Sequence, residues 1–191
     1  MSLGISILGS AITMFVAYCW KFRRLFEKYE FRNQISAERE IIRDIKKSKT
    51  LRVYAMCGST FSNEENSAIA KAVFNDNRLH QKYLISHEEN SKIEDRQKEL
   101  PKEAENLKTK VQNSLNSLNA KIETNKKIEL RRHKNKVGFR LIILDDCLYL
   151  SQQEKNKSGK EAKMQKISSD QPAYINFSDY FDEQWDLYAA A

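Results

Sequence analysis

The chain changes from apolar to polar near residue 20. Its first twenty residues carry no charged side chain, and the 18 residues from Leu3 to Trp20 are mostly apolar. That is nearly the length that a helix needs to cross about 30 Å of hydrocarbon. No basic residue precedes the run, which disfavours a cleaved signal peptide, and the polar remainder offers little apolar surface to bury it. The pattern therefore predicts a transmembrane anchor over residues 1–20.

Aromatic and basic residues mark the C-terminal end of this predicted anchor. Tyr18 and Trp20 are residue types that favour the membrane–water interface, and a basic cluster of Lys21, Arg23 and Arg24 follows them. Basic residues beside a membrane span stay on the cytoplasmic side. We therefore expect a single-pass protein of the inner membrane whose C-terminal domain is cytoplasmic.

Small residues recur along the predicted anchor, at Ser6, Gly9 and Ser10. Small side chains at this spacing let helix backbones approach closely in lipid. Two interpretations stay open: a self-associating helix that gives a homo-oligomer, or a lone anchor in which serine and glycine are simply tolerated.

The hydrophobic pattern after the anchor is that of a folded domain. Phe22, Leu25, Phe26 and Tyr29 recur at helical spacing, which predicts a juxtamembrane stalk over residues 21–36 that continues the helix. Apolar runs then predict strands, which lie at residues 51–61, 80–86, 127–133, 139–146, 147–152 and 164–168. Helical patterns alternate with the first strands. We expect an α/β fold over residues 37–188, a sandwich with a mixed sheet.

Helix starts are predicted where serine stands before a helical pattern. They lie at Ser36, Ser62, Ser91 and Ser178, and those at Ser62 and Ser91 have a glutamate three residues later, as in a capping box. Pro101 interrupts the helical pattern that follows Ser91.

Composition narrows the function class only moderately. The net charge is +7 and the pI about 9.2, which permits contact with anionic lipid or nucleic acid. The three cysteines are widely spaced and form no CxxC pair, so the sequence predicts no disulfide framework, metal site or cofactor. The terminal residues 189–191 are three alanines, which we attribute to an expression scar.

Four segments together resemble the phospholipase-D-like fold: LRVYAMCGSTF, KYLISHEENSKIEDRQKEL, FRLIILDDCLYLS and YFDEQW. The resemblance covers residues 37–186. It is strongest to domains of that fold that have lost catalysis and serve as sensors or regulators in bacterial defence-type proteins. Such domains have a strand ending in a small-residue turn, an Arg-containing helix, an Asp-ending hairpin and an aromatic C-terminal helix.

The catalytic version of that fold requires His-x-Lys followed by an Asp, in which histidine is the nucleophile and lysine neutralises phosphate charge. Here His133 is followed by Lys134 and Asn135, so the lysine is out of register, and Arg140 stands where the Asp would fall. We therefore assign no catalytic residue.

An anion site is the alternative that the resemblance leaves. Ser59 and Thr60 follow a predicted strand, and ligands of open α/β sheets lie beyond the carboxyl ends of strands. Backbone N–H groups in such a turn can bind a phosphate. Arg96, His133 and Arg140 are the predicted partners of this site. That Gly58-Ser59-Thr60 is only a tight turn stays open.

The function predicted from these features is a membrane-anchored effector of a bacterial anti-phage or toxin system. Release or activation of its cytoplasmic domain would perturb the membrane through the anchor. The expected partners are the membrane and either a second copy, a regulatory protein or a ribonucleoprotein such as a reverse-transcriptase complex. Two alternatives are a degenerate phosphodiesterase or nuclease, and a nucleotide- or nucleic-acid-binding module tethered to the inner membrane.

Overall fold

A seven-stranded mixed sheet runs through the domain in the computed structural model, which describes residues 29–63, 65, 67–101 and 106–188. The strands are β1 (Tyr29–Phe31), β2 (Thr50–Ala55), β3 (His80–Ser86), β4 (Ile128–His133), β5 (Phe139–Leu144), β6 (Cys147–Gln152) and β7 (Met164–Ser168). They follow the order β1-β7-β6-β5-β2-β3-β4. Strands β2, β3 and β4 are parallel, and the other neighbours are antiparallel.

Helices cover both faces of this sheet. They are α1 (Gln34–Ile45), α2 (Ser59–Ser62), α3 (Ala68–Phe74), α4 (Ser91–Lys98), α5 (Leu107–Thr124) and α6 (Pro172–Leu187). Neighbouring residues of a strand point to opposite faces. Tyr83 contacts Phe61 of α2 on one face, whereas Lys82 lies over Trp185 of α6 on the other. The central strands therefore bury both faces and are apolar nearly throughout.

Cationic side chains attach α6 to its face of the sheet. The Arg131 guanidinium lies 4.5 Å from the centre of the Trp185 ring, and Lys82 lies 5.1 Å from it. Arg52 of β2 forms an ion pair of 2.8 Å with Asp182. The aromatic C-terminal segment that was predicted as a short helix is thus a 16-residue helix packed on the sheet.

Two predicted helix starts are wrong. Helix α3 begins at Ala68, where the Ser67 hydroxyl accepts the Ala70 N–H at 3.3 Å, so the capping box at Ser62 and Glu65 does not form. Ser178 lies inside α6, and its hydroxyl accepts a hydrogen bond from Arg52. Both serines are buried, and buried hydroxyls take tertiary partners that no local pattern records.

The predicted stalk also differs from the structure in its described residues. Tyr29–Phe31 forms strand β1, which pairs antiparallel with β7, and α1 begins at Gln34. Asn33 caps α1 through a reciprocal pair of hydrogen bonds with Ser36. The sheet therefore takes up residues that the helical spacing had assigned to the stalk.

The fold class needs one correction. The mixed α/β sheet is confirmed, but no helix among the described residues is long and apolar enough to span a membrane, so an N-terminal transmembrane helix is not part of the supported architecture. The longest described helix, α5, has a polar face along its apolar stripe. The segment predicted as an anchor lies outside the described residues, together with its packing and interface positions Ser6, Gly9, Ser10, Tyr18, Trp20, Lys21, Arg23 and Arg24.

Candidate functional site

A cavity of about 820 Å³ opens at the carboxyl end of β2. Because β5 and β6 run antiparallel to each other and β5 antiparallel to β2, the start of β5 and the end of β6 meet at the same edge. The N-terminal half of α5 and the segment 153–163, which we call the β6–β7 loop, complete the walls. The site thus lies where ligands of open α/β sheets bind.

Gly58 sets the distance between the β2 end and the sheet. A Cβ at this position would lie 3.1 Å from Cδ1 of Ile85 and 3.8 Å from Cδ1 of Leu118. Its φ of −87° is one that any residue adopts, so the close approach and not the backbone conformation requires glycine here. The turn that follows is tied by the Phe61 and Ser62 N–H groups, which donate to the Gly58 carbonyl.

Four of the five residues predicted for an anion site line this one cavity. They are Ser59, Thr60, Arg96 and Arg140. The fifth, His133, is absent from its described lining. The structure therefore brings together residues that are up to 81 positions apart in the chain, but it gives them different roles.

Arg140 is the cation that the cavity holds without a carboxylate. Its Nη2 donates to the Gly159 carbonyl at 3.1 Å, while its buried Nε–H has no hydrogen-bond partner. No carboxylate of the described residues forms an ion pair with it. Burial lowers the pKa of Arg140 to about 10, and the neighbouring Cys57 raises it slightly in opposition. The guanidinium stays charged at neutral pH.

Arg96 has a structural role at the cavity wall. It is only 7% exposed, and its Nη2 donates to the carbonyls of Glu154 and Lys157 at 3.0 and 2.8 Å. Its Nη1 pairs with Glu99 at 2.8 Å. The fork of donors is therefore used up in holding the β6–β7 loop against α4, which shapes the cavity.

The hydroxyls of the turn differ in the same way. Thr60 is 4% exposed, and its hydroxyl lies 3.3 Å from the side-chain amide nitrogen of Gln34 in α1. Its carbonyl accepts from Ser67 at 2.6 Å. Ser59 is half-buried and lines the cavity. Thr60 thus fastens the turn, and Ser59 is the hydroxyl that remains for a ligand.

His133 is buried between β4 and α6. It is 0% exposed, its Nε2 lies 3.2 Å from the Ala55 carbonyl oxygen, and its ring packs 4.9 Å from the ring of Tyr54. Its Nδ1 has no partner. Burial lowers the pKa of His133 to about 4, although the bond to Ala55 acts in the opposite direction. This histidine is a neutral core residue.

Acid is therefore expected to destabilise the domain through His133. Its pKa rises from about 4 in the folded state to 6.5 when unfolded, so the unfolded chain binds more protons between these values. The stabilising contribution is complete above pH 6.5 and declines towards pH 4, by about 3 kcal/mol in all. Denaturant unfolding of wild type and His133→Gln across this range tests it, since the other histidines are common to both. A difference in stability that is independent of pH would contradict the expectation.

The β5–β6 turn gives the His-x-Lys motif a second register. Asp145 accepts the N–H groups of Lys49 and Thr50 at 2.7 and 3.1 Å, and so joins the turn to the start of β2. Counting seven residues back from the adjacent Asp146 gives Phe139, a cavity residue, where the motif needs histidine.

Sequence reasoning missed Cys57 and Ser114. Both line the cavity, and the Cys57 Sγ lies 3.6 Å from the Ser114 Oγ. Cys57 follows β2 directly and could have been found from its position at a strand end. Ser114 lies within the predicted α5 pattern and carried no signal of its own, because only the packing of α5 on the turn brings it to the site.

The domain is similar to three solved structures. Nuc from Salmonella typhimurium, a phospholipase D family member, has a TM-score of 0.51 and 16% identity over 82% of this chain and 91% of its own. NucT from Helicobacter pylori has a TM-score of 0.54 and 11% identity over 86% of this chain and 99% of its own. TrmBL2, an archaeal chromatin protein whose structure shows a mode of DNA binding, has a TM-score of 0.51 and 15% identity over 97% of this chain.

These likenesses concern the fold. The chain spans 65% of the length of TrmBL2, and all three identities are low. No family model matches the chain, and the curated proteins include no match to it. The phospholipase-D-like fold predicted from the sequence is confirmed, whereas the role in bacterial defence stays a prediction.

Proposed function

We propose that this domain binds a phosphate-bearing ligand in the cavity, through Arg140, without cleaving it. The observation that carries the proposal is a buried guanidinium with an unpartnered Nε–H and no carboxylate partner among the described residues. A buried charge without a counter-charge is costly, so such an arrangement is retained where a ligand supplies the missing charge.

Phosphate fits this cation better than a smaller anion. A guanidinium presents several donors in a plane that match phosphate oxygens. Ser59 adds a hydroxyl, and Lys110 and Lys160 also line the cavity. Of the two lining glutamates, Glu161 accepts the Ser158 N–H at 2.8 Å and so helps to order the β6–β7 loop.

A nucleotide or the end of a nucleic acid is the phosphate source that we favour. Ligand cavities of about 300–1,000 Å³ take molecules of nucleotide size, and this cavity has about 820 Å³. The net charge of +7 favours polyanions. TrmBL2, which shares the fold, is a DNA-binding protein, and that likeness supports the same class of partner here.

Binding without cleavage is proposed because the site offers no histidine nucleophile. The described lining residues include no histidine, and the ring of His133 is buried beneath α6. Its lowered pKa keeps it neutral, but its nitrogens have no access to a ligand. Turnover of a phosphodiester substrate by wild type that His133→Gln abolishes would contradict this part.

Titration calorimetry with the full chain tests binding. The probes are inorganic phosphate, a nucleoside diphosphate, and a short single-stranded DNA with and without a 5′-phosphate. We expect Arg140→Met to weaken binding at least tenfold, because a hydrogen bond to a charged group contributes about 1.5–3 kcal/mol. Lys126→Met, which removes the same charge from an exposed turn at the far end of α5, is the control.

The outcomes separate the sources of the phosphate. Preference for the 5′-phosphorylated DNA indicates a nucleic-acid end, and equal binding of the nucleoside diphosphate indicates a free nucleotide. Equal weakening in Arg140→Met and Lys126→Met, or no binding of any probe, would overturn the proposal. The predicted effector action on membranes depends on residues 1–20, which lie outside the described residues, and it stays a prediction.

A further inference from the structure

We infer that Cys57 is a covalent modification site whose cavity selects anionic reagents, in particular small anionic disulfides. The inference shares Arg140 with the proposed function but needs no bound phosphate. Two independent features of the cavity carry it: a thiol in its wall, and a buried cationic side chain with an unpartnered donor beside that thiol.

The thiol lies at the wall of the cavity and is not packed away. Cys57 is half-buried and comes two residues after the end of β2. Its Sγ lies 3.6 Å from the Ser114 hydroxyl, which itself donates to the Lys110 carbonyl at 2.8 Å. Since the hydroxyl hydrogen is committed to that carbonyl, the thiol is the donor of this contact. The contact orients the sulfur without burying it.

The charge beside the thiol favours both an ionised sulfur and an anionic partner. Cys57 is the group whose charge acts on the Arg140 guanidinium. Nearby arginine stabilises a thiolate, which is the reactive form. The unpartnered Nε–H of Arg140 remains to attract a carboxylate of the incoming reagent. Reagent charge should therefore alter the rate at this site.

Cys147 provides an internal contrast. It is 4% exposed, and its Sγ donates to the Asp44 carboxylate at 3.5 Å. Burial raises the pKa of Cys147 to about 12, and the neighbouring carboxylate acts in the same direction. Both its burial and the charge beside it oppose attack on an anionic reagent.

The reaction proposed for Cys57 is thiol–disulfide exchange. The thiol loses its proton to solvent, and the thiolate attacks one sulfur of the disulfide. The disulfide bond breaks as the new bond to Cys57 forms, and the other half leaves as a thiolate. The disulfide is the oxidant, and a free thiol reverses the step. The added group occupies the cavity, so modification and ligand binding exclude each other.

Paired alkylation rates on the full chain test the inference. Iodoacetate and iodoacetamide lose the same iodide but differ in charge, and peptide mass spectrometry reports each cysteine separately. We expect the iodoacetate-to-iodoacetamide rate ratio at Cys57 to exceed that of a neutral free thiol at least fivefold. The ratio should fall to the free-thiol value in Arg140→Met, remain high in Lys126→Met and decrease with ionic strength in wild type.

Glutathione disulfide then tests the class of reagent. We expect it to modify Cys57 before Cys147, and a neutral disulfide to show less preference. A ratio at Cys57 no higher than that of the free thiol, or one unchanged by both Arg140→Met and ionic strength, would overturn the inference. If the ratio is high but inorganic phosphate does not slow modification, Cys57 remains the site while the proposed phosphate binding fails.

Discussion

Replacement of Arg140 by methionine is expected to stabilise the ligand-free domain. The guanidinium is buried without a carboxylate partner, and burial lowers its pKa to about 10, which means that folding disfavours the charge. Methionine keeps much of the apolar stem and removes the charge. We expect the free energy of unfolding to rise by about 1–3 kcal/mol, measured by denaturant unfolding at neutral pH without phosphate.

The same variant should lose binding, and this combination is diagnostic. Residues kept for a ligand often reduce the stability of the free protein. A residue kept for structure would destabilise the domain when removed. Arg140→Lys is the companion variant, because it keeps the charge but lacks the planar fork, and we expect it to show no gain in stability. A clear loss of stability in Arg140→Met would mean that Arg140 is a structural residue and would contradict the proposed role.

Replacement of Arg96 by methionine is expected to have the opposite effect on stability. Its buried fork holds two carbonyls of the β6–β7 loop and one carboxylate, and methionine would leave both carbonyls without this donor. We expect a loss of about 2–4 kcal/mol in the free energy of unfolding. Hydrogen exchange should accelerate first in residues 154–163, because this loop forms the cavity wall that Arg96 holds.

Arg78 offers a matched control for this variant. It also donates to a carboxylate, Asp76, and to a backbone carbonyl, that of Lys46, but its side chain is 73% exposed. Arg78→Met should change stability little, since exposed ion pairs contribute little. If Arg96→Met and Arg78→Met had equal effects, or if exchange in the β6–β7 loop were unchanged, the structural role assigned to Arg96 would be wrong.

Much of the fold was predictable because its strands are buried on both faces. The apolar runs in β2, β3, β5 and β6 predicted strands at nearly the observed positions. The stripe of α5 predicted its packing, and the break at Pro101 lies between α4 and α5 as expected. The wrong helix starts share one cause. Ser62 and Ser178 have the residue type of a cap, but their surroundings bury them and give them tertiary partners.

The candidate site was predictable in place but not in roles. Ser59 and Thr60 were expected at the end of a strand, and they lie there beside Arg140. The sequence could not show that Arg96 is fully engaged by the β6–β7 loop, because its carbonyl partners lie 58 and 61 residues away. It also could not show that α6 covers His133, since a histidine on a strand end reads as polar until something packs on it.

The sequence by itself determined the mixed α/β sheet, the small-residue turn after β2 and the failure of the catalytic motif at His133. These features depend on residue type and spacing along the chain. Only the tertiary structure decided that Arg140 is a buried cation without a carboxylate, that Arg96 is a structural tie and that Cys57 lies in the same cavity. The physical reason is that burial and hydrogen-bond partners belong to the environment of a side chain, which distant strands, helices and loops create together.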